Sequence, residues 1–224
     1  MVALFHAMTF AGVDVEAGEP PPGFVRLASI APTIRQDMRY AGPANFVGRA
    51  VPGYLTAECW LRREAAAALA AVEADLAPQG LGLVVFDCYR PQRAVDFFVR
   101  WSRDPGEQGR KAEHFPLVDK SRLLPGGYLA SLSAHSRGAA VDVGLAQTAG
   151  GRAYRLLDMG TPFDFFDERS QTMSGLIPAE ARRNRLILRS AMARHGFRNY
   201  GREWWHFALP LAYPGAHLDV PIAP

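Results

Sequence analysis

The sequence predicts an α+β fold with a central, mostly antiparallel sheet flanked by helices. Three observations carry this. Leu81–Asp87 (LGLVVFD) is a short, unbroken apolar run with β-branched content, which reads as a buried strand. Two long stretches, Thr56–Leu76 and Ile177–His195, read as helices. Strands and helices do not alternate regularly, which argues against a doubly wound parallel sheet. With 224 residues, 49% of them apolar, the chain can bury a sizeable core, and it reads as one domain over 1–224 with a leader over 1–23.

The elements follow in order. Pro20-Pro21-Pro22-Gly23 closes the leader. Val25–Leu27 and Gln36–Tyr40 are short extended pieces, and Asn45–Tyr54, with its Gly and Pro, is a loop. Thr56 is the expected N-cap of an Ala-rich helix that runs to about Leu76 and stops at Pro78 and Gly80. After the Leu81–Asp87 strand, a second helix spans Gln92–Trp101, with Pro91 suited to its first turn. Residues 103–130 are polar and punctuated by Gly and Pro, the pattern of a long loop over a cleft. Val141–Leu145 is a strand, Thr148–Gly151 a turn, and Trp204–Leu209 a final strand. The Ile177–His195 helix has Pro178 near its start and Gly196 after its end.

Bulk properties exclude several classes. The net charge is +3 and the arginines are scattered, so no nucleic-acid stripe is present. No apolar run reaches the ~20 residues that span a bilayer. No Lys or Arg precedes Arg26, so the basic start of a signal peptide is missing. A cytoplasmic location is expected, with a processed, exported (periplasmic) chain as the alternative. Two cysteines are too few for a disulfide framework. Cys59 and Cys88 are read as buried thiols, one at the start of a helix and one at the end of a strand, with a disulfide between them as the alternative.

The chemistry concentrates in Ser133-Ala-His135-Ser-Arg-Gly138-Ala-Ala-Val-Asp142 and Glu203-Trp-Trp-His206. A catalytic zinc site needs three protein ligands, an open position and a nearby base. Gly138 permits a sharp turn that folds His135 back beside Asp142. His206 adds a second imidazole and Glu203 a spare carboxylate. The Glu203/His206 spacing shares a face on a helix but not on an ideal strand, while Trp204-Trp205 favours a strand, so a bulge or strong twist is expected. His6, His114, His195 and His217 read as ordinary surface or hydrogen-bonded residues. Arg90, in Asp87-Cys-Tyr89-Arg90-Pro91, has two readings. It stabilises an oxyanion near the metal, or it is a structural partner of Asp87.

These segments resemble the D-alanyl-D-alanine dipeptidases of the zinc D-Ala-D-Ala peptidase group, which includes the vancomycin-resistance dipeptidase. The similarity runs from about Gln36 to Phe207. It takes in Asp37-Met-Arg39-Tyr40-Ala, Asn45-Phe46-Val-Gly48, Asp87 to Pro91 and Ser133 to Asp142. It continues through Met159-Gly160-Thr-Pro-Phe163-Asp164-Phe-Phe-Asp-Glu168-Arg169-Ser170 to Glu203–His206. The resemblance implies a Hedgehog/DD-peptidase-like fold and one Zn²⁺ per chain held by His135, Asp142 and His206. It implies Glu203 as the general base and Arg90 as the transition-state arginine. Asp164 would hold the free ammonium group of a dipeptide, and Ser133 and Tyr40 would line the pocket. The implied activity is hydrolysis of D-Ala-D-Ala, a cell-wall dipeptide, to two D-alanines. The rival readings are a D,D-carboxypeptidase or endopeptidase on cell-wall peptides, and a non-catalytic, zinc-stabilised module that binds wall fragments. Cys88 departs from the small residue usual beside the arginine, and Gln171 stands where the group has His.

Overall fold

A computed structural model describes residues 9–10, 13–14, 18–212 and 215–224. His6 and most of the leader lie outside them. The strands are β1 (Thr9–Phe10), β2 (Val13–Asp14), β3 (Phe24–Arg26), β4 (Arg35–Gln36), β5 (Trp60–Arg62), β6 (Leu81–Asp87), β7 (Ala140–Ala149), β8 (Arg152–Leu156), β9 (Arg198–Asn199) and β10 (His206–Ala208). The helices are α1 (Leu27–Ile30), α2 (Arg63–Leu76), α3 (Gln92–Arg103), α4 (Lys111–His114) and α5 (Ala179–Arg194).

The expected mixed architecture is present. The main sheet runs β4-β6-β7-β10-β9, with β8 also pairing β7. Only the β4–β6 pairing is parallel. β3 and β5 form a separate antiparallel ribbon. β6 and β7 are buried along most of their length, which accounts for their unbroken apolar sequences. α2 turns Ala65, Ala66, Leu69, Val72 and Leu76 inward, and its alanines let the helix approach β6 closely. Gly80 ends this segment in a left-handed conformation, φ 67°. α3 buries Ala94, Val95, Phe98 and Trp101. Among the described residues, no helix is long and apolar enough to cross a membrane.

Several expectations are corrected. Thr56 caps no helix, because α2 begins at Arg63. The residues before it enter β5, where Trp60 and Leu61 are fully buried against β3. Pairing with β3 overrides the local helical pattern. Cys59 and Cys88 are not free thiols but form a disulfide. β5 delivers one cysteine and the end of β6 the other. β7 extends to Ala149 and turns at Gly150-Gly151 into β8, so the expected turn joins a hairpin. The final strand is only His206–Ala208.

The loop over Asn45–Tyr54 is organised by one buried side chain. Asn45 donates through Nδ2 to the carbonyls of Arg39, Gly42 and Arg49 and accepts from the Val47 and Gly48 amides. A buried amide with all its partners satisfied fixes a loop more firmly than apolar contact alone. The loop in turn packs Phe46 against Tyr40 and Phe98.

Candidate active site

The sheet register assembles the polar cluster. His206 on β10 lies directly opposite Asp142 on β7. On the other side of β7, Asp87 also pairs with Asp142, because a register shift between Val85 and Asp87 moves Asp87 one place along its partner. Without that bulge Asp87 would face an apolar position. One row across three strands therefore carries Asp87, Asp142 and His206.

His135 comes from the turn before β7. Ser133 caps this 3₁₀ segment, its hydroxyl accepting from the His135 amide at 3.3 Å. Gly138 closes the segment at φ 70°, where a Cβ would lie 2.0 Å from the Phe24 ring. His135 Nδ1 donates to the Cys88 carbonyl at 2.6 Å and stands 3.4 Å from Asp87 Oδ2. A carbonyl can only accept, so the proton sits on Nδ1 and the Nε2 lone pair faces the cluster.

His135 Nε2, His206 Nδ1 and Asp142 Oδ1 form a triangle with edges of 3.0, 3.1 and 3.3 Å. Ligands about 2.0–2.1 Å from a tetrahedral ion lie about 3.3 Å apart, so the triangle has the dimensions of one tetrahedral face. Two imidazole nitrogens and a carboxylate converge on one point, and the three residues are a group able to hold a metal ion. Burial acts to raise the Asp142 carboxyl, but His135 and His206 outweigh it and hold it well below the usual carboxylate range. Burial lowers His206, against the opposing pull of Asp142.

Glu203 sits in a tight turn rather than on a strand. Its amide donates to the Tyr200 carbonyl, and its carbonyl accepts from the His206 amide. This turn resolves the spacing conflict, letting residues three apart face one cavity without the expected bulge. Glu203, His206, His135, Arg90 and Ser133 line a cavity of about 280 Å³. Burial, then the charges of Asp142 and Asp164, push the Glu203 carboxyl well above its ordinary value.

Arg90 takes up the structural pairing with Asp87 and also reaches the Asp142 carboxylate. Its Nε and Nη2 each lie 2.9 Å from Asp87 Oδ2, and Nη2 lies 3.5 Å from Asp142 Oδ2. The guanidinium covers the Tyr40 ring at 5.1 Å. Tyr40, expected to line the pocket, and Asp164 are both buried and are not among the residues lining this cavity. The Tyr40 hydroxyl donates to the Asp164 carboxylate at 2.9 Å. Burial, then Asp142, raise the Asp164 carboxyl well above its usual range. No Lys or Arg pairs with it among the described residues.

One further residue escaped the sequence reading. Arg185, on α5 and 1% exposed, donates to the carbonyls of Met159, Arg169 and Gln171 and to Thr161 Oγ1. It ties together the two ends of the loop that carries Asp164. Asp87 holds Arg90 and flanks His135. His195, by contrast, binds Asp75 on the surface, in keeping with its ordinary reading.

Known proteins match most of this chain. The peptidase M15 family model described as D-ala-D-ala dipeptidase matches residues 21–223. The chain belongs to this family. It is 38% identical to a D-alanyl-D-alanine dipeptidase of Enterococcus faecium over 201 residues, covering 89% of this chain and 98% of the relative. A D-alanyl-D-alanine dipeptidase of Streptomyces coelicolor is 40% identical over 191 residues, covering 85% of this chain and 93% of the relative. One of Escherichia coli is 38% identical over 192 residues, covering 85% and 87%. The match spans every element that contributes to the cluster.

Proposed function

We propose that this chain is a zinc-dependent dipeptidase that hydrolyses D-Ala-D-Ala to two D-alanines, with His135, Asp142 and His206 as the metal ligands. The observation that carries the reading is the 3.0–3.3 Å triangle of donors opening onto a cavity that Glu203 and Arg90 share. The antiparallel core fits the wider Hedgehog- and DD-peptidase-like group that the sequence resembles. When bound, Zn²⁺ lowers the pKa of water toward about 7 and polarises a carbonyl.

The chain's own residues do the rest. Glu203 takes a proton from the attacking water and returns it to the amide nitrogen as the C–N bond breaks. Its raised affinity for protons suits a base that must also release them near neutral pH. Arg90, anchored by Asp87 and lining the cavity, stabilises the oxygen that becomes negative. His135 is held in one tautomer by the Cys88 carbonyl. Asp164 is a buried carboxylate without a Lys or Arg ion-pair partner among the described residues, and the ammonium group of a free dipeptide is its complement. Ser133 lines the cavity, and Tyr40 aims Asp164 from behind.

The test is release of D-alanine from D-Ala-D-Ala by metal-loaded protein. L-Ala-L-Ala and N-acetyl-D-Ala-D-Ala run alongside, with a chelator control. Chelator-sensitive cleavage of the free D,D-dipeptide is expected. Equal cleavage of the acetylated substrate points instead to a carboxypeptidase. Bound zinc without any cleavage points to a binding module. Glu203→Ala should lose about 10²–10⁴-fold in kcat while keeping its metal, and full activity in that variant overturns the mechanism.

A further inference from the structure

We infer that His114 is a positioning residue for the substrate's amino terminus, acting through the backbone of Asp164; the inference rests on the reading of Asp164 as the ammonium anchor. Asp164 has φ 57°, the only non-glycine positive φ among the described residues. A side chain in this left-handed region sits there at a cost and persists only where its surroundings hold it.

His114 supplies the hold on the C-terminal side of that residue. Its Nδ1 lies 3.0 Å from the Asp164 carbonyl, which can only accept, so Nδ1 carries the proton and donates. Its own carbonyl accepts from the Phe166 amide at 2.6 Å. The peptide groups on either side of Phe165 are thus both fastened to one residue. The ring is 93% buried and its Nε2 faces Arg110 Nη2 at 3.5 Å. Burial and the Arg110 charge both keep the imidazole neutral, the form that donates from Nδ1 while Nε2 stays a lone pair.

This arrangement separates two functions. The Tyr40 hydroxyl fixes the carboxylate from the side-chain end. His114 fixes the backbone turn from which that side chain projects. Losing the second lets the turn relax to an ordinary conformation and swings the carboxylate away from where an ammonium group docks. An ammonium contact made equally in ground and transition states appears in KM rather than in kcat.

The experiment compares KM and kcat for D-Ala-D-Ala, zinc content and melting temperature in a set of variants. His114→Phe keeps the ring and removes the donor. It is expected to raise KM about tenfold, the scale of one net hydrogen bond, with kcat within about twofold and zinc retained. His114→Asn places an amide N–H where Nδ1 stood and should recover most of the loss. His114→Gln moves that donor outward and should not, and it replaces the Phe variant if the latter fails to melt cooperatively. Adding His114→Phe to Asp164→Asn should raise KM no further than Asp164→Asn alone, because one acts through the other. Additive losses, an unchanged KM in His114→Phe, or a fall in kcat with zinc loss would each overturn the inference. If Asp164→Asn itself leaves KM unchanged, the ammonium reading fails first and takes this inference with it. If Asp164→Asn raises KM and His114→Phe does not, only the role of His114 is refuted.

Discussion

Gly138→Ala is expected to damage both the fold and the metal centre, and the structure sets the scale. Gly138 has φ 70°, and an added Cβ would meet the Phe24 ring at 2.0, 2.5 and 2.9 Å. The ring has little room to retreat. The Arg62 guanidinium sits 4.6 Å from its centroid, and Tyr89 packs edge-on at 5.4 Å. Arg62 is itself fastened here, its amide donating to the Gly138 carbonyl and its Nε to the Arg137 carbonyl. Left-handed strain costs about 1–2 kcal/mol, and overpacking typically about 1–3 kcal/mol. A combined loss of about 2–5 kcal/mol corresponds, at about 2–4 °C per kcal/mol for a chain of this size, to a drop of about 5–20 °C in Tm. The four residues before Gly138 carry His135, so zinc affinity should fall as well. Calorimetry on the apo-protein and competition with a chelator measure the two effects. In a Phe24→Leu background the same Ala substitution should cost less, because the clash is relieved while the strain remains. A Gly138→Ala protein with parental Tm and parental zinc affinity would show that the turn does not position His135.

Three other outcomes are expected. The Cys59–Cys88 bond closes a 29-residue separation, so a Cys59→Ser/Cys88→Ser protein should lose about 3–4 kcal/mol of stability on the chain-entropy account. Alkylation of intact cells before lysis reads the compartment: free thiols agree with the cytoplasmic expectation, and a paired state argues for export. Arg185→Lys keeps the charge but loses the fork, leaving carbonyls unpaired at about 1–3 kcal/mol each; lower Tm together with higher KM is expected, because the loop it ties carries Asp164. Burial raises the Glu73 carboxyl although its carboxylate accepts from the Leu83 amide at 2.7 Å. A folded-state value above the unfolded one favours folding only while the group is protonated, so this contribution is lost as pH rises above the ordinary value of 4.5. Glu73→Gln should therefore raise Tm at pH 8 and leave it nearly unchanged at pH 4, as followed by thermal melts.

The cluster was legible where it depends on local order. The Gly138 turn and the run into β7 bring His135 to Asp142 within eight residues, and sequence spacing reads such distances directly. The Glu203/His206 spacing could not be assigned to helix or strand, because a turn ending at a three-residue strand satisfies neither ideal period. Thr56 misled because Trp60 and Leu61 gain more by burial against β3 than by continuing α2 toward its N-terminus. The disulfide depends on where β5 meets the end of β6, a meeting without any local signal. Asp87, Arg185 and His114 act on residues distant in the chain, through backbone carbonyls or a register shift. Their residue types announce none of this, since an arginine or histidine that binds carbonyls looks in sequence like any surface residue.

The charges at the site argue for both proposed ligands together. Asp142 perturbs each of Asp87, Asp164 and Glu203, and Arg90 is the one arginine among the described residues that acts on all three. Arg90 is matched to Asp87 by two 2.9 Å contacts. Burial first, and the Asp142 charge second, push Asp164 and Glu203 toward their protonated forms. A divalent ion beside Asp142 and Glu203 and an ammonium group beside Asp164 would give every carboxylate a counter-charge. On the proposed function the two ligands would help each other: metal binding would lower the negative potential that burdens Asp164 and leave that carboxylate ionised for the substrate. An acylated dipeptide supplies no cation, so Asp164 must stay protonated or stand as an unmatched buried charge. Discrimination against longer peptides would in this way come from charge balance inside the fold as much as from the size of the cavity.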